Sequence, residues 1–273
     1  MCNTTKETKE FFMFSYFGIL PKGIFKEKKN NGEFSEFQKY EDYVAYKCSY
    51  RAYLDVCRTI KYSVSSTIIY KNKDSIKKYD GYIKLKEAFI NYEINLILEN
   101  LESLLTKDNY DTEHNSLCTK MLFKNNNEVE SKLLDNIKDG EYKNKTSKAF
   151  KDFYLFKTNE ELDEVFKYGM AQKWLNMTIK NLLLAEDMFN GCTGYGNILK
   201  ENRAKFHVPV DKNILNAAKS LGINKILGKT YSIEGWSNWE EPTYTEFIRL
   251  LKDKLQKTSM LDWEHSAWME YAE

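Results

Sequence analysis

Apolar residues recur at helical spacing along most of this chain, and that periodicity restricts the fold more than any other feature of the sequence. Residues three and four positions apart share one face of an α-helix, so such a stripe predicts a helix with one buried side. The segments with this spacing are 43–60, 83–105, 166–180, 212–221, 243–255 and 263–271. We therefore expect an all-α protein.

Three segments depart from the helical pattern. The apolar run Phe11–Leu20 predicts a small N-terminal β element, a buried strand or hairpin, and it is too short to span a bilayer. Residues 22–40 are rich in Lys, Asn and Gly and predict a loop, and residues 106–148 are polar and interrupted. The resulting expectation is a single domain, 1–273, of two lobes separated by a cleft: an N-terminal helical lobe at 42–148 and a second lobe at 149–273.

Composition limits the function classes. The chain is 42% hydrophobic and 15% aromatic, which is ample for a packed core. With 41 basic and 40 acidic residues it lacks the strong positive charge of many nucleic-acid binders, so a nucleic-acid site must be a local patch. Five scattered cysteines predict neither a disulfide framework nor a metal site. With no signal sequence or membrane span recognised, we expect a cytoplasmic location.

The segment from Gly169 to Lys180 carries two stripes. Apolar residues form one, and Gly169, Lys173, Asn176 and Lys180 form the other. The pattern predicts a helix that packs on one face and presents amines on the other. Downstream, the stiff run Val208-Pro-Val-Asp211 leads into an amphipathic helix at 212–220, which places Asp211 at its N-cap.

These two elements together resemble the core of the helix-hairpin-helix Gly/Pro-Asp DNA glycosylases, and the 8-oxoguanine branch is the most similar. In that family the lysine of a Gly-x-Gly-x-Lys element attacks the sugar C1′ of an extruded nucleotide. The aspartate of a Val-Pro-Val-Asp run caps a helix and supports the cationic transition state. Lys173 and Asp211 occupy these positions. The hairpin differs, because the family sequence Leu-Pro-Gly-x-Gly is replaced by Phe166-Lys-Tyr-Gly-Met-Ala.

The resemblance implies an all-α glycosylase-like fold and a site in which Lys173 and Asp211 are catalytic. The residues expected to bind substrate are Gly169, Gln172, Asn176, Lys180, His207 and Pro209. The implied substrate is a damaged or modified purine in DNA, or a purine nucleoside or nucleotide, with no cofactor and no metal. Divergent relatives accompany base-modifying enzymes in bacterial defence gene clusters, so an antiviral role is a further implication.

Binding of nucleic acid is expected to depend on a local basic cluster. The candidate residues are Lys173, Lys180, Lys200, Arg203, Lys205 and Lys212.

Two alternatives remain open at this point. The first is a module that keeps the fold but only binds a nucleobase, a nucleotide, DNA or a partner protein, and the altered hairpin favours it. The second is a helical interaction subunit in which Asp211 is an ordinary helix cap, since an aspartate at an N-cap usually has that role alone.

Overall fold

The structure, a computed structural model, describes residues 5–59, 80–122 and 166–271. The helices in these ranges are α1 (Lys6–Phe12), α2 (Lys22–Asn30), α3 (Tyr40–Thr59), α4 (Asp80–Thr106), α5 (Tyr110–Lys120), α6 (Tyr168–Met188), α7 (Gly196–Asn202), α8 (Lys212–Ser220), α9 (Glu241–Leu255) and α10 (Met260–Tyr271). A π-helical turn, Met13–Phe17, follows α1, and 3-10 turns occupy Arg203–Lys205 and Trp236–Asn238. Two short antiparallel strands, β1 (Lys225–Ile226) and β2 (Lys229–Thr230), form a hairpin. The all-α prediction is confirmed.

Helix α6 lies at the centre and packs most extensively against α3. Sixteen of its 21 residues are buried, including Gly169, Lys173 and Asn176 of the polar stripe, whereas Lys180 is partly exposed. Helices buried on nearly all sides belong to the interior of a fold. The stripe predicted to present amines therefore lies mostly inside the protein, and α6 is the core element on which the other helices are assembled.

The N-terminal β element is not formed. Thr5 caps α1 by accepting a hydrogen bond from the Thr8 backbone N–H at 3.3 Å. Met13 and Phe17, four residues apart, are both buried, so helical spacing aligns them towards the core. Gly18, at φ 69°, then ends the helical segment in the left-handed conformation. The predicted loop at 22–40 also contains a helix, α2, which is anchored by the buried Phe25.

Of the other predicted elements, some are present in the structure and some lie outside the described residues. The helices predicted at 43–60, 83–105, 212–220 and 243–255 are present with boundaries shifted by a few residues at most ends. The lobe boundary expected at 148/149 lies outside the described residues. The same is true of residues 129–137, where the sequence predicts a short helix, and of the compact apolar segment 149–156. In the described ranges, no helix combines the length and apolar character needed to cross a membrane.

Candidate functional site

The first turn of α6 is held by a close approach of backbone to backbone. A Cβ atom added to Gly169 would lie 2.0 Å from the carbonyl oxygen of Trp236. The Gly169 N–H donates to the carbonyl of Trp239 at 3.0 Å. Only glycine permits this contact. The 3-10 turn Trp236–Asn238 therefore crosses directly over the start of the helix that carries Lys173.

Asp211 performs two tasks with its two carboxylate oxygens. Oδ1 accepts hydrogen bonds from the backbone N–H groups of Asn213 at 3.0 Å and Ile214 at 3.1 Å, which is a standard N-cap. Oδ2 accepts a hydrogen bond from Lys173 Nζ at 3.1 Å. The predicted cap is confirmed, and the structure brings the two proposed catalytic residues into direct contact.

The Lys173–Asp211 pair is nearly enclosed. The side chain of Lys173 is 5% exposed and that of Asp211 is 16% exposed. The Trp236 ring covers the amine, with 4.8 Å between Nζ and the ring centroid, an arrangement that stabilises a cation. The two residues thus close on each other beneath an indole ring, in place of the open cleft expected between two lobes.

A second buried carboxylate lies beside this pair. Glu264 on α10 accepts a hydrogen bond from Lys180 Nζ at 2.5 Å, and Lys180 is half-exposed. Burial raises the pKa of Glu264, and the charge of Asp211 raises it further, while the charges of Lys180 and Lys173 act against both effects. The four groups therefore form one electrostatically coupled cluster with alternating charge, in which Lys173 and Lys180 each have a carboxylate partner.

Gln172 and Asn176, both expected to bind substrate, instead hold the Val208–Val210 backbone. Gln172 Nε2 donates to the carbonyls of Gly169 at 2.7 Å and Val210 at 3.2 Å. Asn176 Nδ2 donates to the Val208 carbonyl at 3.2 Å. This backbone pairing fixes the path of the segment that ends at Asp211. Pro209, between the two valines, is also buried.

His207 belongs to a buried chain of hydrogen bonds. Its Nε2 lies 2.9 Å from Asp111 Oδ1, and its Nδ1 lies 2.9 Å from the Tyr244 hydroxyl. The hydroxyl accepts from Asn176 Nδ2 at 2.9 Å, and Asn176 Oδ1 lies 2.8 Å from His114 Nε2. Each donor meets an acceptor when Tyr244 donates to His207 and both histidines carry their proton on Nε2.

Burial keeps this chain neutral except at its outer end. Desolvation lowers the pKa of His207, opposed by the hydrogen bond to Asp111, and lowers the pKa of His114 to about 3. The hydrogen bond from His207, with a further one from Lys252, lowers the pKa of Asp111. The negative charge of Asp111 therefore remains at the surface, and the interior end of the chain consists of neutral groups. We refer to Gln172, Asn176, His207, Tyr244 and His114 as the neutral network.

Sequence reasoning missed the partner residues that complete the charged cluster around Lys173 and the neutral network. Trp236 and Glu264 enclose the lysines, and Asp111, His114 and Tyr244 complete the neutral network. His114 and Asp111 lie in a segment predicted to be polar and interrupted, and Tyr244 occupies an ordinary core position of an amphipathic helix. No local pattern marks any of these residues, because each acquires its role from elements that are distant in the sequence.

The expected basic cluster is partly paired with carboxylates within the chain. Beyond the two lysines of α6, Lys200 donates to Asn190, Arg203 pairs with Asp262, Lys205 donates to the Lys107 carbonyl and Lys212 pairs with Glu234. Each of these six cationic side chains thus has a hydrogen-bond acceptor. Among the described residues, Lys173, Lys180, Arg203 and Lys212 pair with a carboxylate, whereas Lys200 and Lys205 bond to neutral oxygens. Among the described residues no group of three or more His, Cys, Asp or Glu side chains is arranged to hold a metal ion.

No protein-family model, curated protein or solved structure matches this chain. The assignment of function consequently depends on the geometry of the site and on the local resemblance of its two motifs.

Proposed function

We propose that this protein cleaves the N-glycosidic bond of a damaged or modified purine, in DNA or in a nucleoside, and that Lys173 and Asp211 carry out the reaction. The observation that carries the proposal is the 3.1 Å contact between Lys173 Nζ and Asp211 Oδ2 at the N-terminus of α8. The pair also occupies the positions of the lysine and aspartate in the motifs of the helix-hairpin-helix Gly/Pro-Asp glycosylases. An antiviral role in a bacterial defence system is the biological setting that this resemblance favours.

The proposed chemistry assigns a different role to each residue. Attack on C1′ requires an unprotonated amine, and Asp211 Oδ2 is the acceptor already in contact with Nζ. As the new C–N bond forms, the base leaves with the electrons of the glycosidic bond and takes up a proton. Opening of the sugar ring then gives an imine between Lys173 and C1′. The carboxylate stabilises the positive charge that develops on the sugar.

Trp236 must leave Lys173 for this reaction to occur, since the ring now covers the amine. The 3-10 turn Trp236–Asn238 is joined to α6 by the hydrogen bond from Gly169 to Trp239. In the proposed mechanism, an extruded base displaces the indole and stacks in its place, which exposes the amine only when a nucleotide is present.

A second candidate function is a binding module without cleavage, and the burial of Lys173 favours it. With 4% of its surface exposed, Lys173 serves equally well as a fixed charge that joins α6 to the cap of α8. In that case Trp236 is a permanent cover, and no substrate reaches the amine.

Borohydride trapping separates the two functions. Duplexes and single strands carrying modified purines, together with free purine nucleosides, are incubated with the protein and borohydride, which reduces an imine to a stable adduct. The proposal expects an adduct with wild type and none with Lys173→Ala. Lys22→Ala is the matched control, because Lys22 on α2 also pairs with a carboxylate, that of Glu41, and is not one of the proposed site residues, so the adduct should persist.

Asp211→Asn tests the role of the carboxylate. Asparagine still caps a helix, so base release should slow while the fold is kept. Release without trapping, abolished in Asp211→Asn, would assign the attack to water. An adduct that persists in Lys173→Ala would assign it to another lysine. If no substrate in the panel is cleaved while a modified purine binds, the protein is a binding module.

A further inference from the structure

The β-hairpin that follows α8 has an apolar tip with an unusual backbone. Lys225 pairs with Thr230 and Ile226 with Lys229, which leaves Leu227 and Gly228 as a two-residue turn. Both turn residues have positive φ, 51° and 75°, as a type I′ turn requires. The Leu227 side chain is 55% exposed. Type I′ turns favour Asn-Gly or Asp-Gly, so leucine here is unfavourable both for the backbone and for solvation.

The base of the hairpin is firmly attached to the core, in contrast to its tip. Ile226 is buried, and the Tyr231 hydroxyl donates to the carbonyls of Ile223 at 2.7 Å and Leu215 at 3.3 Å. The leucine is therefore held outward on a rigid support. Among residues 166–271 the exposed large apolar side chains are Leu227, Trp268 and Met269, and Leu227 is the one that lies outside α10.

Four lysines lie on or beside this hairpin, two on its strands and two near its base. Lys225 and Lys229 lie on the strands, and Lys219 Nζ lies 5.5 Å from the centroid of the Tyr231 ring. Lys254 Nζ, from the last turn of α9, lies 3.8 Å from the position of a Cβ on Gly222. In the part of the chain that the structure describes, none of these four amines has a carboxylate within ion-pair distance. They differ in this respect from Arg203 and Lys212, each of which pairs with a carboxylate.

We propose that the hairpin is a docking surface for duplex nucleic acid, in which the four lysines contact phosphates and Leu227 enters a groove against the bases. Amines without a carboxylate partner complement the phosphate backbone, and proteins that enter the minor groove frequently insert a single apolar side chain at a base step. A lipid surface fits less well, because stable attachment to a membrane needs more apolar area than one leucine supplies.

This surface is separate from the Lys173–Asp211 pair, and its existence does not rest on the proposed cleavage. Asp211 lies at the N-terminus of α8 and the hairpin follows its C-terminus, so the nine residues of the helix separate them by about 13 Å. Docking through the hairpin applies equally to an enzyme and to a binding module.

Leu227→Asn is the most direct test, because fold and binding should respond in opposite directions. Asparagine adopts the left-handed conformation readily, so thermal unfolding should occur at the same or a higher temperature. Affinity for a fluorescein-labelled mixed-sequence DNA duplex should fall about tenfold, the decrease expected when one leucine is no longer buried. Wild type should change the fluorescence of a duplex containing 2-aminopurine when it binds, because Leu227 perturbs the base stack. This change should disappear in Leu227→Asn.

The double variant Lys225→Gln/Lys229→Gln tests the interactions with phosphate. The slope of log affinity against log salt should become shallower by about 0.9 for each phosphate that is no longer neutralised. Lys26→Gln is the matched control, because Lys26 is an exposed lysine of α2 without a carboxylate partner in the described ranges, and its slope should equal that of wild type. Unchanged affinity in Leu227→Asn or an unchanged slope in the double variant would overturn the proposal. So would binding to vesicles of phosphatidylserine and phosphatidylcholine without binding to duplex.

Discussion

Gln172 and Lys173 are adjacent on α6 and both are buried, yet they are stabilised in opposite ways. Gln172 belongs to the neutral network, whose members hydrogen-bond to one another and to nearby backbone carbonyls. Lys173 carries a charge whose closest carboxylate belongs to Asp211, with an indole ring above the amine. Neutral buried groups need only hydrogen bonds, whereas a buried charge also needs an opposite charge. The network therefore serves the fold, and the ion pair is the part of the core to which the proposed chemistry is assigned.

The largest expected effect comes from removing the carboxylate of the ion pair. Asp211→Ala leaves Lys173 charged and buried, and it also removes the N-cap of α8, so we expect a decrease of about 3–5 kcal/mol in the free energy of unfolding. Lys173→Met should cost only about 1–2 kcal/mol, because Asp211 keeps two backbone N–H donors and partial exposure. Urea denaturation measures both values. Equal decreases in the two variants would contradict the asymmetry of the pair.

The next effect tests the neutral network. Asn176→Leu leaves the Val208 carbonyl and His114 Nε2 without a buried partner, for an expected destabilisation of about 3 kcal/mol. Asn202→Leu is the matched control, because Asn202 bonds only locally to the Ile198 carbonyl and lies near the surface, and it should cost about 0.5 kcal/mol or less. A destabilisation in Asn176→Leu as small as that of the control would show that the network does not stabilise the fold.

A smaller effect concerns the pH dependence of the network. The pKa of His114 falls from its usual 6.5 to about 3 in the folded state, so the unfolded chain binds the proton first as pH falls. The contribution of neutral His114 to the free energy of unfolding is fully present above about pH 6.5 and is lost progressively below it. This loss amounts to about 2–3 kcal/mol near pH 4. Glutamine can donate to Asn176 as His114 Nε2 does. His114→Gln should therefore flatten the fall in stability between these two pH values, as measured by urea denaturation. An unchanged pH profile would show that His114 does not titrate on unfolding.

These contrasts also show what the sequence can and cannot predict. The apolar spacing in α3, α4 and α9 predicted helices because it records which side of each helix is buried. The Val208–Asp211 run predicted the cap because that signal is local. The second stripe of α6 was predicted to present amines on a face that does not pack, because its residues are polar. Its burial depends on Trp236, Glu264 and Tyr244, which no period along α6 can reveal.

The N-terminal segment shows that secondary structure can also be mispredicted from a local pattern. Its dense aromatic run fits a buried strand as well as it fits a helix, since short apolar segments have no clear period. The Thr5 cap and the spacing of Met13 and Phe17 decide for a helix. Likewise, the count of lysines near Lys173 gave no information about which of them are paired. The four lysines of the hairpin surface emerged only from the folded arrangement.

The smallest expected effect comes from a buried carboxyl group for which the described residues supply no cation within ion-pair distance. Glu93 on α4 is 1% exposed, and its Oε2 has no hydrogen-bond partner among the described residues. Burial raises its pKa well above the usual 4.5. The folded state then holds the proton more tightly than the unfolded chain, so stability is greatest below about pH 4.5 and decreases as pH rises above that value. Glu93 thus provides a measure of what burial costs a carboxyl group that has no counterpart of Lys173.

Glu93→Gln should stabilise the fold at about pH 7 by roughly 1–2 kcal/mol, because the amide cannot ionise and fills nearly the same volume. At about pH 4, where the carboxyl is protonated in both states, the gain should vanish. Glu99→Gln is the matched control on the same helix, since Glu99 is exposed, and it should change stability by less than about 0.5 kcal/mol at either pH. If Glu93→Gln instead destabilises the fold at neutral pH, Glu93 is held as a carboxylate by a cation. It would then belong with Asp211 and Glu264, and isolation from charge would no longer distinguish it from the ion pair.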